Sequence, residues 1–214
     1  IFNELLFNPQ PGKYDFAELY NRSKRIIDMR DMLIGTLSNT GTIIDPIQIT
    51  ASSFYLFPDE YLAITSDANN LIEEYPLSDP KQVLENKDLP SMPDDKGAIA
   101  LSTRSGLITD AITYDDSWHF PLLNNREGVS LERIDPNGKT VDASNWTSAA
   151  SLAGFATPTK KNSQFHVYRQ KEAMVSIDPT SFTPDNDGNN DLLGIHYKVN
   201  QPGYVIQVRV YDTD

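Results

Sequence analysis

The chain has no cysteine among its 214 residues and only three histidines. Disulfide staples, thiolate zinc sites and cysteine nucleophiles are therefore excluded, while the redox compartment stays open. His119, His166 and His196 are scattered without the spacing of a zinc site. Cations are also short: 18 Lys and Arg stand against 30 Asp and Glu, a formal net charge of −12. Nucleic acid and anionic membrane surfaces need clustered cations that displace counterions, so neither is expected as a partner. Long apolar runs are missing too. Phe54-Tyr55-Leu56-Phe57 is cut by Pro58, far short of the ~18 apolar residues of a membrane span, so no membrane insertion is expected. No phosphate-cradling P-loop or G-x-G-x-x-G is present. No signal peptide opens the chain. Ile1 leads directly into a strand-like run without Met, which reads as a mature or trimmed fragment and says nothing about compartment.

What is present is a series of short apolar segments separated by Pro, Gly, Asn and Asp. Residues 1–7, 16–20, 32–37, 42–50, 53–57 and 61–65 read as strands at the spacing of a sandwich or barrel. In the second of these, Phe16, Glu18 and Tyr20 share one parity and Ala17 and Leu19 the other. Residues 67–75 are the best short helix, with Asp67 as N-cap and Pro76 as its end. The proline-rich stretch 78–95 reads as loop. Residues 97–103 and 107–114 flank Arg104-Ser105-Gly106 as a hairpin, and 129–134 and 140–141 flank the Asn137-Gly138 turn as another. The small-residue stretch 145–163 reads as a closing loop laid across the first domain, with a linker near 162–164. Strand patterns then resume at 172–177, 194–199 and 204–211.

Four pieces in order carry a family resemblance: Asn3-Glu4-Leu5-Leu6-Phe7-Asn8-Pro9 with Asp15-Phe16-Ala17-Glu18-Leu19-Tyr20-Asn21; Glu60-Tyr61-Leu62-Ala63-Ile64-Thr65; Gly128-Val129-Ser130-Leu131-Glu132-Arg133; and Asn145-Trp146-Thr147-Ser148-Ala149 with Thr157-Pro158 and Asn162-Ser163. Residues 1–164 on these grounds resemble the lamin tail domain, an immunoglobulin-like β-sandwich. The pattern departs at Gly154-Phe155-Ala156 and at Thr159, where bacterial relatives often carry glycine. Residues 182–191, with Pro202-Gly203 and Val208-Arg209-Val210-Tyr211-Asp212, resemble the start of the immunoglobulin-like domain of flagellar hook-capping proteins. The family pattern would continue past Asp214. The expected architecture is therefore all-β: a lamin-tail-type sandwich over 1–164, a linker over 165–172, and the N-terminal part of a second, incomplete sandwich over 173–214.

Several constellations invite chemistry. Asp185, Asp187, Asn189 and Asp191 place oxygen ligands two residues apart around Gly188, as a calcium loop would. The EF-hand pattern is not met, since its glycine and closing glutamate positions hold Asn190 and His196. The competing reading is an Asx-turn loop that caps its own backbone. Asp110, Asp115, Asp116 and His119 suggest an acid–base set, against which stands the simpler view of solvated charges beside a core Trp118. Glu4 and Glu18 lie in the family-matching segments, and such carboxylates bind backbone N–H groups or a cation in a sandwich. Ser130 lacks the second glycine of a nucleophile elbow. Tyr14, Tyr20, Tyr55, Tyr61 and Trp118 could stack on glycans or serve as core and edge cover. Asn21-Arg22-Ser23 and Asn145-Trp146-Thr147 match the glycosylation sequon.

The resemblance and the absence of a supported catalytic set imply a non-enzymatic secreted or cell-surface module. Its expected site is extracellular, surface or periplasmic, binding protein or glycan at the cell envelope through loops and sheet edges. The alternative is an accessory domain of a larger secreted hydrolase or nuclease. Open strand edges in the second region also allow a strand-exchanged homo-oligomer.

Overall fold

The structure, a computed structural model, describes residues 1–167, 175–199 and 207–211. Period-2 alternation places the apolar side chains of each short run on one face, and the described residues accordingly form strands. In chain order these are β1 (Phe2–Leu6), β2 (Phe16–Tyr20), β3 (Ile27–Asp28), β4 (Met32–Leu37), β5 (Ile43–Gln48), β6 (Tyr55–Leu56) and β7 (Tyr61–Thr65). A helix α1 (Ala68–Glu74) intervenes, followed by β8 (Val83–Glu85), β9 (Lys96–Thr103), β10 (Ile108–Asp115), β11 (Leu131–Arg133), β12 (Trp146–Ser148), β13 (Val175–Asp178) and β14 (Gly194–Tyr197).

A six-stranded sheet in the order β12-β11-β1-β2-β7-β8 faces a four-stranded sheet, β10-β9-β4-β5. All neighbours are antiparallel except β7 and β8. Phe2, Leu5, Leu19, Leu62, Leu131 and Trp146 of the first sheet pack against Ile34, Ile99, Leu101, Ile112 and Tyr114 of the second, which makes the fold an all-β sandwich. Fully burying each such side chain contributes about 1.5–3 kcal/mol. A bulge between Phe2 and Glu4 shifts the register of β1, so Phe2 and Leu5 both face this core. Glu4 and Leu6 consequently point to the outer face of the six-stranded sheet.

That outer face is covered as well. Asp67 caps α1 by accepting the N–H of Asn70 at 3.0 Å, and Leu71 packs with Leu6, Phe16, Ala63, Val83 and Ala156. The expected helix and its cap are thus present, as are β2, β4 and β7 at the expected residues. Gly106, at φ +84°, makes the turn between β9 and β10.

Three local expectations fail. The stretch 78–95 contains β8, which adds to the sheet in parallel with β7. The second expected hairpin does not form: Asp135 and Gly138 close a turn at 3.0 Å, but β11 pairs with β12 instead of residues 140–141. Burial of Trp146 decides this, with its ring 4.8 Å from the Arg133 guanidinium and its indole N–H on the Thr140 carbonyl. Residues 162–164 are not a linker either. Asn162 and Gln164 are buried, and the segment 155–164 lies as a strap across the outer face of the six-stranded sheet. Of the strand expected at 204–211, residues 204–206 lie outside the described residues, as do 172–174, and 207–211 form no strand. β13 and β14 pair as a two-stranded sheet on which Val175, Ile177, Ile195 and Tyr197 share one exposed face. No helix among the described residues is long and apolar enough to cross a membrane.

Candidate functional site

Register brings three glutamates together. Glu4 of β1 stands opposite Glu18 of β2 and Glu132 of β11, so three carboxylates lie side by side on the outer face. All three are fully buried. Like charges on neighbouring strands repel, and buried charges are costly unless hydrogen-bonded. The strap supplies the donors. Glu4 accepts the Thr157 N–H at 2.8 Å and the Ser130 hydroxyl at 2.5 Å through Oε1. Glu132 accepts the Ser163 N–H and hydroxyl at 3.0 and 2.8 Å and the Gln164 N–H at 2.9 Å. Glu18 takes the Thr159 N–H at 2.5 Å and the Asn3 amide at 2.8 Å. Phe155 and Thr159 sit at φ +65° and +66°, left-handed conformations that the strap adopts as it crosses the carboxylates.

Burial, followed by the neighbouring Glu132, raises Glu4 from its ordinary 4.5 to about 8. Burial and Glu4 push Glu18 well above its ordinary range. Burial raises Glu132 too, opposed by its four hydrogen-bond donors. The backbone role expected for Glu4 and Glu18 is therefore present. Glu132 was legible only as part of a strand, although Ser130 and Glu132 share a parity that the outer face selects.

The acid–base set at 110–119 does not converge. Asp110 accepts the Phe2 N–H at 2.8 Å and the Thr140 hydroxyl at 2.6 Å, with the Arg133 guanidinium 3.6 Å away. Asp115 caps a short 3-10 helix, and hydrogen bonds from Ser117 hold its carboxyl below the usual range. Asp116 is paired with Arg126. His119 is buried beside Phe7, with Nδ1 2.8 Å from the Ser148 hydroxyl. Burial lowers its pKa to about 4, so it is neutral at pH 7.

The aspartate loop forms a second cluster, with carboxylate oxygens of Asp185, Asp187 and Asp191 within 4.8 Å of one another, close enough to hold a metal ion. Asp191 is its keystone. Its two oxygens accept the N–H groups of Asp185, Asn186 and Gly188 at 3.2, 2.6 and 2.6 Å and the Gln164 amide at 2.8 Å. Asp185 and Asp187 each cap the N–H two residues on, and the Asn189 amide donates to Asp187. The loop docks on the sandwich: the buried Asn186 amide donates to the Ala149 carbonyl at 3.0 Å, and the Ser151 N–H donates to the Asn186 carbonyl at 2.8 Å. Gly188, at φ +96°, comes so close to Ala150 that an added Cβ would lie 3.0 Å from that methyl. Gln164 joins the two clusters, giving its N–H to Glu132 and its side-chain amide to Asp191.

Of the candidate glycan-stacking aromatics, Tyr20 and Tyr61 stack at 4.8 Å, whereas Trp118 packs against the core. Both sequon asparagines are buried, their amides donating to the carbonyls of Leu56 and Asp135. Clefts of about 260 and 250 Å³ flank the strap, one beside Tyr75, Pro76 and Pro158 and one beside Gln164 and Asp191. None of the three glutamates lines either cleft. Comparison with family models, with curated proteins and with solved structures finds no match to this chain.

Proposed function

We propose that this chain is a non-catalytic secreted or cell-surface interaction module of the lamin-tail kind, recognising protein or glycan at the cell envelope. One observation supports this most: the buried carboxylates under the strap, Glu4, Glu18 and Glu132, all hold backbone or hydroxyl groups of the fold. The three glutamates line neither cleft bordering the strap. Binding then falls to edges and loops. β5 is blunted by Pro46 and by Asp45 at φ +46°, and β8 and β12 have three residues each. β10 is the remaining edge of the two large sheets, eight residues long and free of proline, which favours strand addition there.

The test immobilises the chain against an envelope extract. Lysines at the exposed Thr109 and Thr113 of β10 should abolish capture, while lysine at Ile44 of β5 should not. Capture that survives the β10 changes overturns strand addition. Capture by neither form favours an accessory domain of a larger secreted hydrolase or nuclease. Light scattering across concentration tests a strand-exchanged homo-oligomer through the exposed face of β13 and β14.

The closeness of three aspartates favours a second role for the 185–191 loop, calcium binding. Asp185, Asp187 and Asn189 would be its main ligands, since Asp191 already accepts four donors.

A further inference from the structure

The Thr157 hydroxyl lies 3.1 Å from Glu4 Oε2 and 2.7 Å from Glu132 Oε1. A hydroxyl has one proton to give. With both carboxyls ionised, one of these two contacts would be oxygen against oxygen with no hydrogen between, in a site closed to solvent. A second proton resolves this, and the donor pattern says where it sits. Glu132 takes two donors on each oxygen, so a proton there would displace one. Glu4 takes two donors on Oε1, while Oε2 has Thr157 as its hydrogen-bond neighbour among the described residues.

We propose that a proton on Glu4 Oε2 closes the strap: Glu4 donates to the Thr157 hydroxyl, which donates to Glu132, and loss of that proton at alkaline pH unlatches 155–164 from the sheet. The titratable groups facing Glu4 are Glu18 from β2, Glu132 from β11 and Tyr75 from the turn after α1, all of them acids. None of the three glutamates is ion-paired among the described residues. Among the described residues no cation is therefore placed to offset a charge appearing on Glu4. Gln164 and Ser151 tie the strap region to the aspartate loop, so unlatching would loosen the docking of that loop.

Substitution Glu4→Gln tests this on the full chain, because its amide keeps a carbonyl for Ser130 and Thr157 and places an N–H where the proton should be. Thermal melts and limited proteolysis of the strap would be followed from about pH 6 to 8. The folded-to-unfolded ratio of Glu4→Gln should gain on the wild type by up to about tenfold per pH unit. Strap cleavage should rise with pH in the wild type alone. Glu132→Gln should be destabilised at every pH, since its amide would meet donors with donors. An infrared band of a protonated carboxyl should be present in the wild type at neutral pH and reduced in Glu4→Gln. Parallel pH dependence of Glu4→Gln and wild type overturns the proposal, and so does better tolerance of Glu132→Gln. Should Glu4→Gln fail to fold, the band is read in Glu18→Gln, where Glu18 cannot supply it: a protonated-carboxyl band present at neutral pH and lost on going alkaline supports the latch, and its absence at neutral pH overturns it.

Discussion

The two acidic clusters of this molecule solve the same problem by different routes. Glu4, Glu18 and Glu132 come from three strands and are fully buried. Asp185, Asp187 and Asp191 come from one loop and range from exposed to buried. Both sets commit their oxygens to hydrogen-bond donors, N–H and O–H for the glutamates and N–H alone for the aspartates among the described residues. The glutamates hold a strap that arrives from far along the chain, whereas two of the aspartates cap residues two positions away. Burial makes the first cluster costly to disturb. Exposure and local closure make the second cheap to disturb, save at Asp191, whose partner Gln164 belongs to the strap.

The largest break in this contrast should come from Glu18→Ala. It leaves the Thr159 N–H and one Asn3 amide hydrogen without acceptors inside the protein, at a cost of about 3 kcal/mol. Chemical denaturation measures it. A change under about 0.5 kcal/mol, the range of an ordinary surface substitution, would mean that the Glu4 and Glu132 bonds and the packing of Ala156 hold the strap without Glu18.

His119 sharpens the comparison from the opposite charge sign. Its folded pKa lies near 4 and its unfolded value near 6.5. The neutral ring is favoured in the fold, so its contribution is fully present above pH 6.5 and is lost as pH falls toward 4. The loss is up to about 1.4 kcal/mol per pH unit within that window. His119→Phe fills the slot without titrating, and the wild type should lose stability relative to it on acidification. The difference between the two is the measured quantity, because Glu4 carries the opposite slope above pH 4.5. Parallel acid curves would show that His119 is solvated in the fold.

Asp191→Ala comes next. It removes the acceptor of three backbone N–H groups and the Gln164 amide, worth about 1–2 kcal/mol locally. Amide exchange should quicken at Asn186 and Gly188 while the melting of the sandwich stays put. A matching fall in sandwich melting would show that the loop and the strap unfold as one unit.

Legibility in the sequence follows the same divide between local and distant partners. The alternation in 16–20, 32–37 and 61–65 marks strands with correct ends, and Asp67 followed by Leu71 marks the helix, because these signals are complete within a few residues. The Asx turns of the aspartate loop are legible for the same reason. The glutamate cluster is only half legible. Glu4 and Glu18 suggest backbone acceptors, but nothing near Glu132 announces that register will set it beside Glu4. β12 is hidden in a small-residue stretch because Trp146 earns its place by contacts with Arg133 and Thr140. The Asn137-Gly138 turn is real, yet its apparent second strand loses to that more distant partner.

The smallest expected effect is that of calcium, and it bears on whether the aspartate cluster is more than a turn. Binding to the folded loop at ten times the dissociation constant would stabilise it by about 1.4 kcal/mol. The shift should appear in amide exchange at 185–191, not in sandwich melting, because the carboxylates involved lie in one loop outside the two facing sheets. Asp187→Asn should abolish the shift while leaving the Asn189 N–H an acceptor, since an amide carbonyl can still close that turn. A shift that survives Asp187→Asn would place the ion elsewhere. No difference between chelator and millimolar calcium would leave the loop with one role, docking on Ala149 and Ser151 through Asn186 and on the strap through Asp191.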